Sequence, residues 1–303
     1  MKFLSDSAVA HLREIAELPD LTGTRYDFVR ELGRGGMGVV YEVYDRELER
    51  SVAMKVIGIA LAGDADSVVH EARIIAGLEH PGVVPVHDVG TLADGRFYYT
   101  MKFVRGVRLD RWASDSAKQG HARTEVLRLF ARICEPVAFA HARGIVHRDL
   151  KPENVMVGEL GSVLVMDWGV ARLTERAEDG RLIVGTPGYM APEQARGEAA
   201  GIRADVYALG ALLAFLLRGD AGIPRPLAAI VARAMADDPE ARYPDARALA
   251  EDVLHFLDSA PVSAYRENAV EHAVRWLVRN RVLMGLVGAY IVMRVIVYFW
   301  MRL

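Results

Sequence analysis

The sequence predicts an α+β protein of two lobes, a small antiparallel β-sheet lobe with one main helix and a larger helical lobe, followed by an apolar terminal helix. Three observations predict it. Residues 26–103 run in short extended stretches, whereas the chain after Val104 turns to helical periodicity, and a strand-rich block followed by a helix-rich block segregates into layers. The 303 residues, 52% hydrophobic and 25% charged, suffice for a two-part domain with a sizeable core and a short appendage. Residues 282–301 are apolar apart from Arg294.

Taken in order, residues 1–24 form an N-terminal helical extension, in which Ala8, Leu12, Ile15 and Leu18 recur at helical spacing until Pro19 stops the run. The sheet lobe, 25–104, has strands near 26–32, 38–45, 51–58, 85–91 and 96–103. One helix near 66–78 interrupts them, with Asp66 or Ser67 as its cap. The helical lobe, 105–258, has helices near 123–143, 205–218, 226–236 and 245–258. Pro261 and the polar stretch 259–281 read as a linker to the terminal helix, 282–301. About 20 helical residues span about 30 Å, one hydrocarbon thickness. Arg275, Arg279 and Arg281 give the run a cationic flank suited to a cytoplasmic side, and Tyr298 and Trp300 suit the far interface.

Arg294 at mid-bilayer would cost about 2.5–3.5 kcal/mol, but it lies past the midpoint and can snorkel towards Arg302. The expectation is a single-pass anchor in the inner (cytoplasmic) membrane, with the lipid bilayer as partner and the lobes on the cytoplasmic side. An interfacial helix, or one docked on the lobes, is the other reading. Gly285 and Ala289 make a small-residue pair too weak to establish dimerisation.

Other classes recede. A net charge of −3 gives no reason to expect nucleic acid as a partner. Cys134 lies in an apolar helical pattern with Leu127, Phe130, Ile133 and Val137, so it reads as a buried reduced thiol. No Cys/His cluster has zinc spacing, and the N-terminus carries no secretory pattern.

Gly33, Gly35 and Gly38 make a G-x-G-x-x-G pattern, weak alone because dinucleotide-binding turns share it. Such a turn opens a helix, whereas Gly38 precedes the strand-like Val39-Val40-Tyr41-Glu42-Val43. A glycine hairpin brings backbone N–H groups close to phosphates. Neither GKS nor GKT occurs, which excludes a Walker A site. The run Val146-His147-Arg148-Asp149-Leu150-Lys151-Pro152-Glu153-Asn154, followed by Asp167-Trp168-Gly169, sets a base-like carboxylate, a cation and two oxygen ligands for magnesium in one short segment. That is equipment for moving a phosphoryl group onto a hydroxyl.

HRDLKPEN with a DFG-like triplet resembles the catalytic core of eukaryotic-type protein kinases, particularly bacterial (Hanks-type) serine/threonine kinases, over roughly residues 26–257. The resemblance implies a two-lobed protein-kinase-like fold and an enzyme that uses ATP with magnesium, manganese being able to substitute, and takes protein substrates with Ser/Thr acceptors. It implies that Gly33, Gly35 and Gly38 cover the phosphates and that Lys55 of Val52-Ala53-Met54-Lys55 holds them, aimed by an ion pair with Glu71. Val40, Ala53 and Met156 sandwich the adenine, Met101 stands behind it, and Lys102, Phe103 and Val104 form the hinge. Lysine at 102, where kinases often carry an acid, should matter little because the hinge bonds through backbone. Asp149 takes the acceptor proton, Lys151 neutralises the moving phosphoryl group, and Asn154 and Asp167 ligate the metal.

Lys151 with Gly185-Thr186-Pro187-Gly188-Tyr189 implies serine/threonine specificity, Thr186 bridging Asp149 and Lys151. His147 should be a packed structural residue, with Ile75 and Trp168 as neighbours. Glu193 should pair with Arg242, and Asp205 should accept backbone hydrogen bonds from the catalytic loop. Arg148 should meet phosphorylated Thr174 or a constitutive carboxylate, Glu175, Glu178 or Asp179.

Two departures stand out. Trp168 replaces the usual phenylalanine and needs a larger pocket and an indole partner. The chain also runs almost directly from 220 to 223, where related kinases insert another helix, which puts family docking modes in doubt. These departures motivate the alternative of an ATP-binding pseudokinase scaffold at the membrane. A small-molecule kinase is disfavoured by GTPGYMAPE, which resembles a peptide-positioning loop.

Overall fold

The computed structural model describes residues 18–35, 38–57, 76–119, 121–168, 172–173, 185–218, 222–272, 276 and 280–301. Five strands, β1 (Tyr26–Gly35), β2 (Gly38–Asp45), β3 (Arg50–Ile57), β4 (Val86–Thr91) and β5 (Phe97–Lys102), form an antiparallel sheet in the order β1-β2-β3-β5-β4. Strand alternation decides what faces the second lobe. On β3, Val52, Met54 and Val56 join Tyr26, Tyr41, Val43, Leu92 and Tyr98 in an outer core. Ala53 and Ile57 fall on the opposite face, where with Tyr99 and Met101 they join the core of the helical lobe. Lys55 shares their parity, and its side chain is buried. The helix expected near 66–78, including Glu71 and Ile75, lies outside the described residues, apart from a helical residue at 76.

Next come β6 (Gly106–Arg108), α1 (Leu109–Gln119) and α2 (Arg123–His141), the last burying Leu127, Phe130, Ile133, Cys134 and Val137 as the sequence pattern predicts. Burial pushes the Cys134 thiol well up, so it stays protonated and inert. Helix α1 was not expected from the sequence. Its Leu109 is fully buried and Trp112 is packed against the core, but the rest of LDRWASDSAKQ is too polar to show an apolar period.

Short strands β7 (Ile145–Val146), β8 (Val155–Gly158), β9 (Val163–Val165) and β10 (Arg172–Leu173) frame the catalytic segment as a β6-β8-β9 sheet and a β7-β10 pair. Val83 bridges to Val165, and the Val165 N–H donates to the Gly82 carbonyl at 2.8 Å, stitching the sheet lobe to the segment before Asp167. Helices α3 (Pro192–Ala195), α4 (Ile202–Leu216), α5 (Arg225–Ala234) and α6 (Ala246–Leu257) complete the lobe, and α4 and α5 are joined without another described helix between them.

The stretch after α6 is not simply extended. Val262 is buried, and Ala264 and Tyr265 pack against the helical core. The last helix, α7 (Arg281–Trp300), exposes apolar side chains around its circumference, with Leu286, Tyr290, Ile291, Met293, Ile296 and Trp300 all more than half exposed. Among the described residues, which omit the side chains of 281–283, 295 and 299, no helix is long and apolar enough to cross a membrane. Residues 1–17, including Ala8, Leu12 and Ile15, lie outside the described residues, as do Asp66, Ser67, Arg275, Arg279 and Arg302.

Candidate active site

The glycine hairpin is the β1–β2 turn. Gly35 pairs with Gly38, whose φ is +146°, and a Cβ on Gly38 would sit 2.1 Å from the Val56 carbonyl oxygen. Only glycine fits there. Cβ positions at Gly33 and Gly35 meet open space, so these two leave room rather than relieve strain. Of the expected adenine-site residues, Ala53 and Met101 are buried, and Val40, Met156, Phe103 and Val104 are partly so. Ala53 pairs with Met101 across β3 and β5, and Met156 pairs with Arg108 across β8 and β6. The start of the hinge is set by the Lys102 N–H, which donates to the Pro85 carbonyl.

Lys55 Nζ lies 2.7 Å from Asp167 Oδ1 and 5.7 Å from the Tyr99 ring centroid. Two residues 112 apart in sequence are thus joined directly across the cleft. Burial alone would raise the Asp167 carboxyl. The charge and hydrogen bond of Lys55, with His147 and Lys151 behind, outweigh it and hold the group below the usual carboxylate range. Asp167 is therefore ionised, and its side chain stays 43% exposed.

Asp149 is the hub of the second cluster. Its Oδ1 accepts from Thr186 Oγ1 at 2.8 Å, and its Oδ2 lies 2.8 Å from Lys151 Nζ. Lys151 Nζ also donates to Thr186 Oγ1 at 2.8 Å, closing a triangle. Asn154 Nδ2 donates to the Asp149 carbonyl at 2.8 Å and to Oδ2 at 3.3 Å, which turns its Oδ1 away as the atom left for a cation.

The backbone under this cluster is tied to Asp205. Its carboxylate accepts from the N–H of His147 at 2.7 Å and of Arg148 at 2.8 Å, and from His141 Nε2 at 3.0 Å. His141 Nδ1 accepts from the Ala246 N–H, so Nε2 carries the proton given to Asp205. Nothing in the sequence singles out His141, the last residue of α2. Burial would raise the Asp205 carboxyl, but His141 and the catalytic-loop N–H groups hold it below the usual range. His147 is equally committed, Nε2 to the Met166 carbonyl at 3.0 Å and Nδ1 to the Asp149 N–H at 3.3 Å. It is a structural residue, as expected. Trp168 packs against it, the ring planes tilted by 50° with centroids 4.6 Å apart; it is 1% exposed and donates its indole N–H to the Val165 carbonyl at 3.2 Å. Both needs of the larger side chain are met.

Farther back, Arg242 Nη1 and Nη2 each lie 2.7 Å from a Glu193 carboxylate oxygen, both residues buried. Gln194 Nε2 donates to the Arg148 carbonyl at 3.0 Å, tying the same short helix to the catalytic loop. Glu71, Gly169, Thr174, Glu175, Glu178 and Asp179 lie outside the described residues, so neither the Lys55–Glu71 pair nor the Arg148 counter-ion has a described geometry.

A magnesium ion fits these donors. Asn154 and Asp167 offer hard oxygens beside a cleft. No cluster of three His, Cys, Asp or Glu that could hold a metal occurs among the described residues.

Comparison with known proteins agrees with this geometry. Residues 26–260 match the family described as the protein kinase domain. Serine/threonine-protein kinase PknD of Chlamydia abortus is 36% identical over 78% of this chain, and PknD of Chlamydia caviae 37% identical over 78%. The chain spans about a third of the length of these relatives, 31% and 32% respectively. Among solved structures, the Mycobacterium tuberculosis PknI kinase domain superposes with a TM-score of 0.59 at 28% identity, covering 78% of this chain and 98% of that one. The match of residues 26–260, the whole two-lobed region, places this chain in the protein kinase domain family.

Proposed function

We propose that the chain is an ATP-dependent protein serine/threonine kinase held at the cytoplasmic face of the inner membrane by its terminal helix. One observation carries the catalytic part: the Asp149–Lys151–Thr186 triangle, closed by three contacts of 2.8 Å. Its carboxylate is oriented on both oxygens before any substrate arrives, which suits a reaction governed by positioning and charge rather than covalent chemistry.

In this reading Asp149 accepts the proton of a serine or threonine hydroxyl as it attacks the γ-phosphorus of ATP. Lys151 balances charge on the phosphoryl group, and Thr186 holds both side chains beside the acceptor. Lys55 orients the phosphates, and the Gly33–Gly38 hairpin covers them with backbone N–H groups. Val40, Ala53, Met101, Phe103, Val104 and Met156 line the adenine position. Magnesium, held by Asn154 Oδ1 and the Asp167 carboxylate, supplies neutralisation of phosphate charge when bound. To admit it, Asp167 must share the carboxylate now paired with Lys55. Support for the tether comes from the 20-residue α7 and its circumferential apolar exposure.

The test compares wild type with Asp149→Asn for transfer of labelled phosphate from ATP to a generic serine-rich protein. Transfer should fall by about 10²-fold or more. Equal labelling by both proteins would refute the catalytic reading and leave the scaffold one. Flotation with liposomes tests the tether, which fails if removing 282–301 leaves the distribution unchanged.

A further inference from the structure

The stretch after α6 holds a device that neither the catalytic site nor an anchor requires. Asp252 on α6 is 3% exposed, yet it accepts four hydrogen bonds. Tyr243 Oη donates at 2.8 Å, and the other three come from the chain beyond the helix: Ser263 N and Ser263 Oγ at 2.8 Å each, and Ala264 N at 3.1 Å. Burial would raise the Asp252 carboxyl, but these donors hold it below the usual range, so it is ionised. The exposed ring of His255 stands 3.9 Å away. Arg233 reaches over the Tyr243 ring, 4.4 Å from its centroid, and donates to Ser263 Oγ at 2.7 Å. Ser263 is exposed, and its hydroxyl lies between one carboxylate and one guanidinium.

The strap continues outward. Tyr265 Oη donates to both Glu271 oxygens, at 2.9 and 3.0 Å. Asn268 Oδ1 accepts from the Glu271 N–H at 2.8 Å while Glu271 Oε2 accepts from the Asn268 N–H at 3.0 Å, a reciprocal cap that starts the next helical turn. The path from α6 towards α7 is thereby latched to the helical lobe through Ser263.

We propose that Ser263 is a phosphoacceptor site, and that phosphate there unlatches the strap from Asp252. Resting on the kinase reading above, the step forms a bond from Ser263 Oγ to the γ-phosphorus and breaks the bond from that phosphorus to the oxygen bridging the β-phosphate. The hydroxyl proton passes to Asp149 and ADP leaves. A phosphoserine carries about −1.5 to −2 charge. Set against the buried Asp252 carboxylate, with the Arg233 guanidinium opposite, it cannot keep the latched geometry. The Ser263 and Ala264 N–H groups and Val262 then leave their seats together.

The full chain in detergent micelles, incubated with magnesium and ATP, is followed by phosphopeptide mass spectrometry and amide hydrogen exchange, with Asp149→Asn, Ser263→Glu, Ser263→Ala and Ser259→Ala alongside. Phosphate should appear on Ser263 in wild type and in Ser259→Ala, and not in Asp149→Asn. Amides 262–268 should exchange about tenfold faster or more in the phosphorylated protein and in Ser263→Glu, with a smaller change in Ser263→Ala, which keeps both backbone bonds. A generic acceptor labelled while Ser263 stays bare overturns this proposal and leaves the kinase reading standing. No labelling of either overturns both. Phosphate on Ser263 with unaltered exchange overturns the unlatching.

Discussion

The Glu193–Arg242 pair allows a prediction with a direction inside it. Both side chains are almost fully excluded from water, and removing one partner of such a pair costs about 3–5 kcal/mol because the other charge is left uncompensated. The two halves are not equivalent. Arg242 also donates to the carbonyls of Ala236 at 2.7 Å, Arg203 at 2.9 Å and Asp237 at 3.1 Å, and faces the Tyr207 ring at 5.1 Å. Glu193→Gln therefore leaves a cation that keeps three acceptors, and should cost near 3 kcal/mol, the lower end of that range. Arg242→Met strands a buried carboxylate and takes a charged donor away from those three carbonyls; it should cost near 5 kcal/mol. Against a total stability of about 5–15 kcal/mol, either is severe. Urea unfolding followed by fluorescence measures both, and the double variant Glu193→Leu/Arg242→Met should cost less than the sum of the singles. If Glu193→Gln proves as damaging as Arg242→Met, the carbonyl argument is wrong. If both fall under about 1 kcal/mol, the pair is not buried as described.

Two further variants test the support of the catalytic loop. Asp205→Asn leaves one of the His147, Arg148 or His141 donors unmatched and should cost about 1–3 kcal/mol at pH 7. Because the folded carboxyl is held below its unfolded value near 3.9, its stabilisation is complete above about pH 5 and fades as pH falls through the folded value. The gap between wild type and variant should hold from pH 8 to about 5 and narrow below about 4 in unfolding experiments; a gap that widens in acid would contradict the assignment. Trp168→Phe removes the bond to the Val165 carbonyl and part of a fully buried ring, for about 1–3 kcal/mol. It leaves Lys55–Asp167 untouched, so phosphate transfer should stay within about threefold of wild type, and a loss of hundreds-fold would show that the indole itself sets the triplet.

The five strands of the first sheet were legible to within about three residues, because β-branched and apolar runs mark them and glycines mark the turn, whereas β6 to β10, two to four residues each, are too short to show a pattern. The helices of the second lobe were legible from apolar spacing, and the Asp205 role and the Glu193–Arg242 pair from family resemblance. What failed to show had no local signal. Helix α1 is polar over most of its length. His141 meets Asp205 across 64 residues, and nothing in its neighbourhood marks it as a proton donor. The stretch 259–281 read as a linker because it is polar, although Asn268-Ala-Val-Glu271 carried a capping signature. Its hold on Asp252 depends mainly on backbone N–H groups, which sequence does not advertise.

The site also shows why so few side chains suffice. Arg148 at φ +70° and Asp167 at φ +57° both hold left-handed backbone that non-glycine residues adopt at a cost. Neither strain is relieved locally. Arg148 is held by its N–H on Asp205 and its carbonyl on Gln194, and Asp167 by Lys55 from the other lobe. The catalytic loop thus draws its conformation from α3, α4 and, through His141, the start of α6. Asp167 draws its orientation from β3. Chemistry that relies on positioning requires the scaffold to supply this rigidity before substrate arrives, and that explains why a tryptophan can replace phenylalanine in the triplet. The ring is packed against His147 and its N–H is bonded to Val165, while the neighbouring carboxylate is held separately by Lys55, so the residue bearing the charge stays where the two lobes put it.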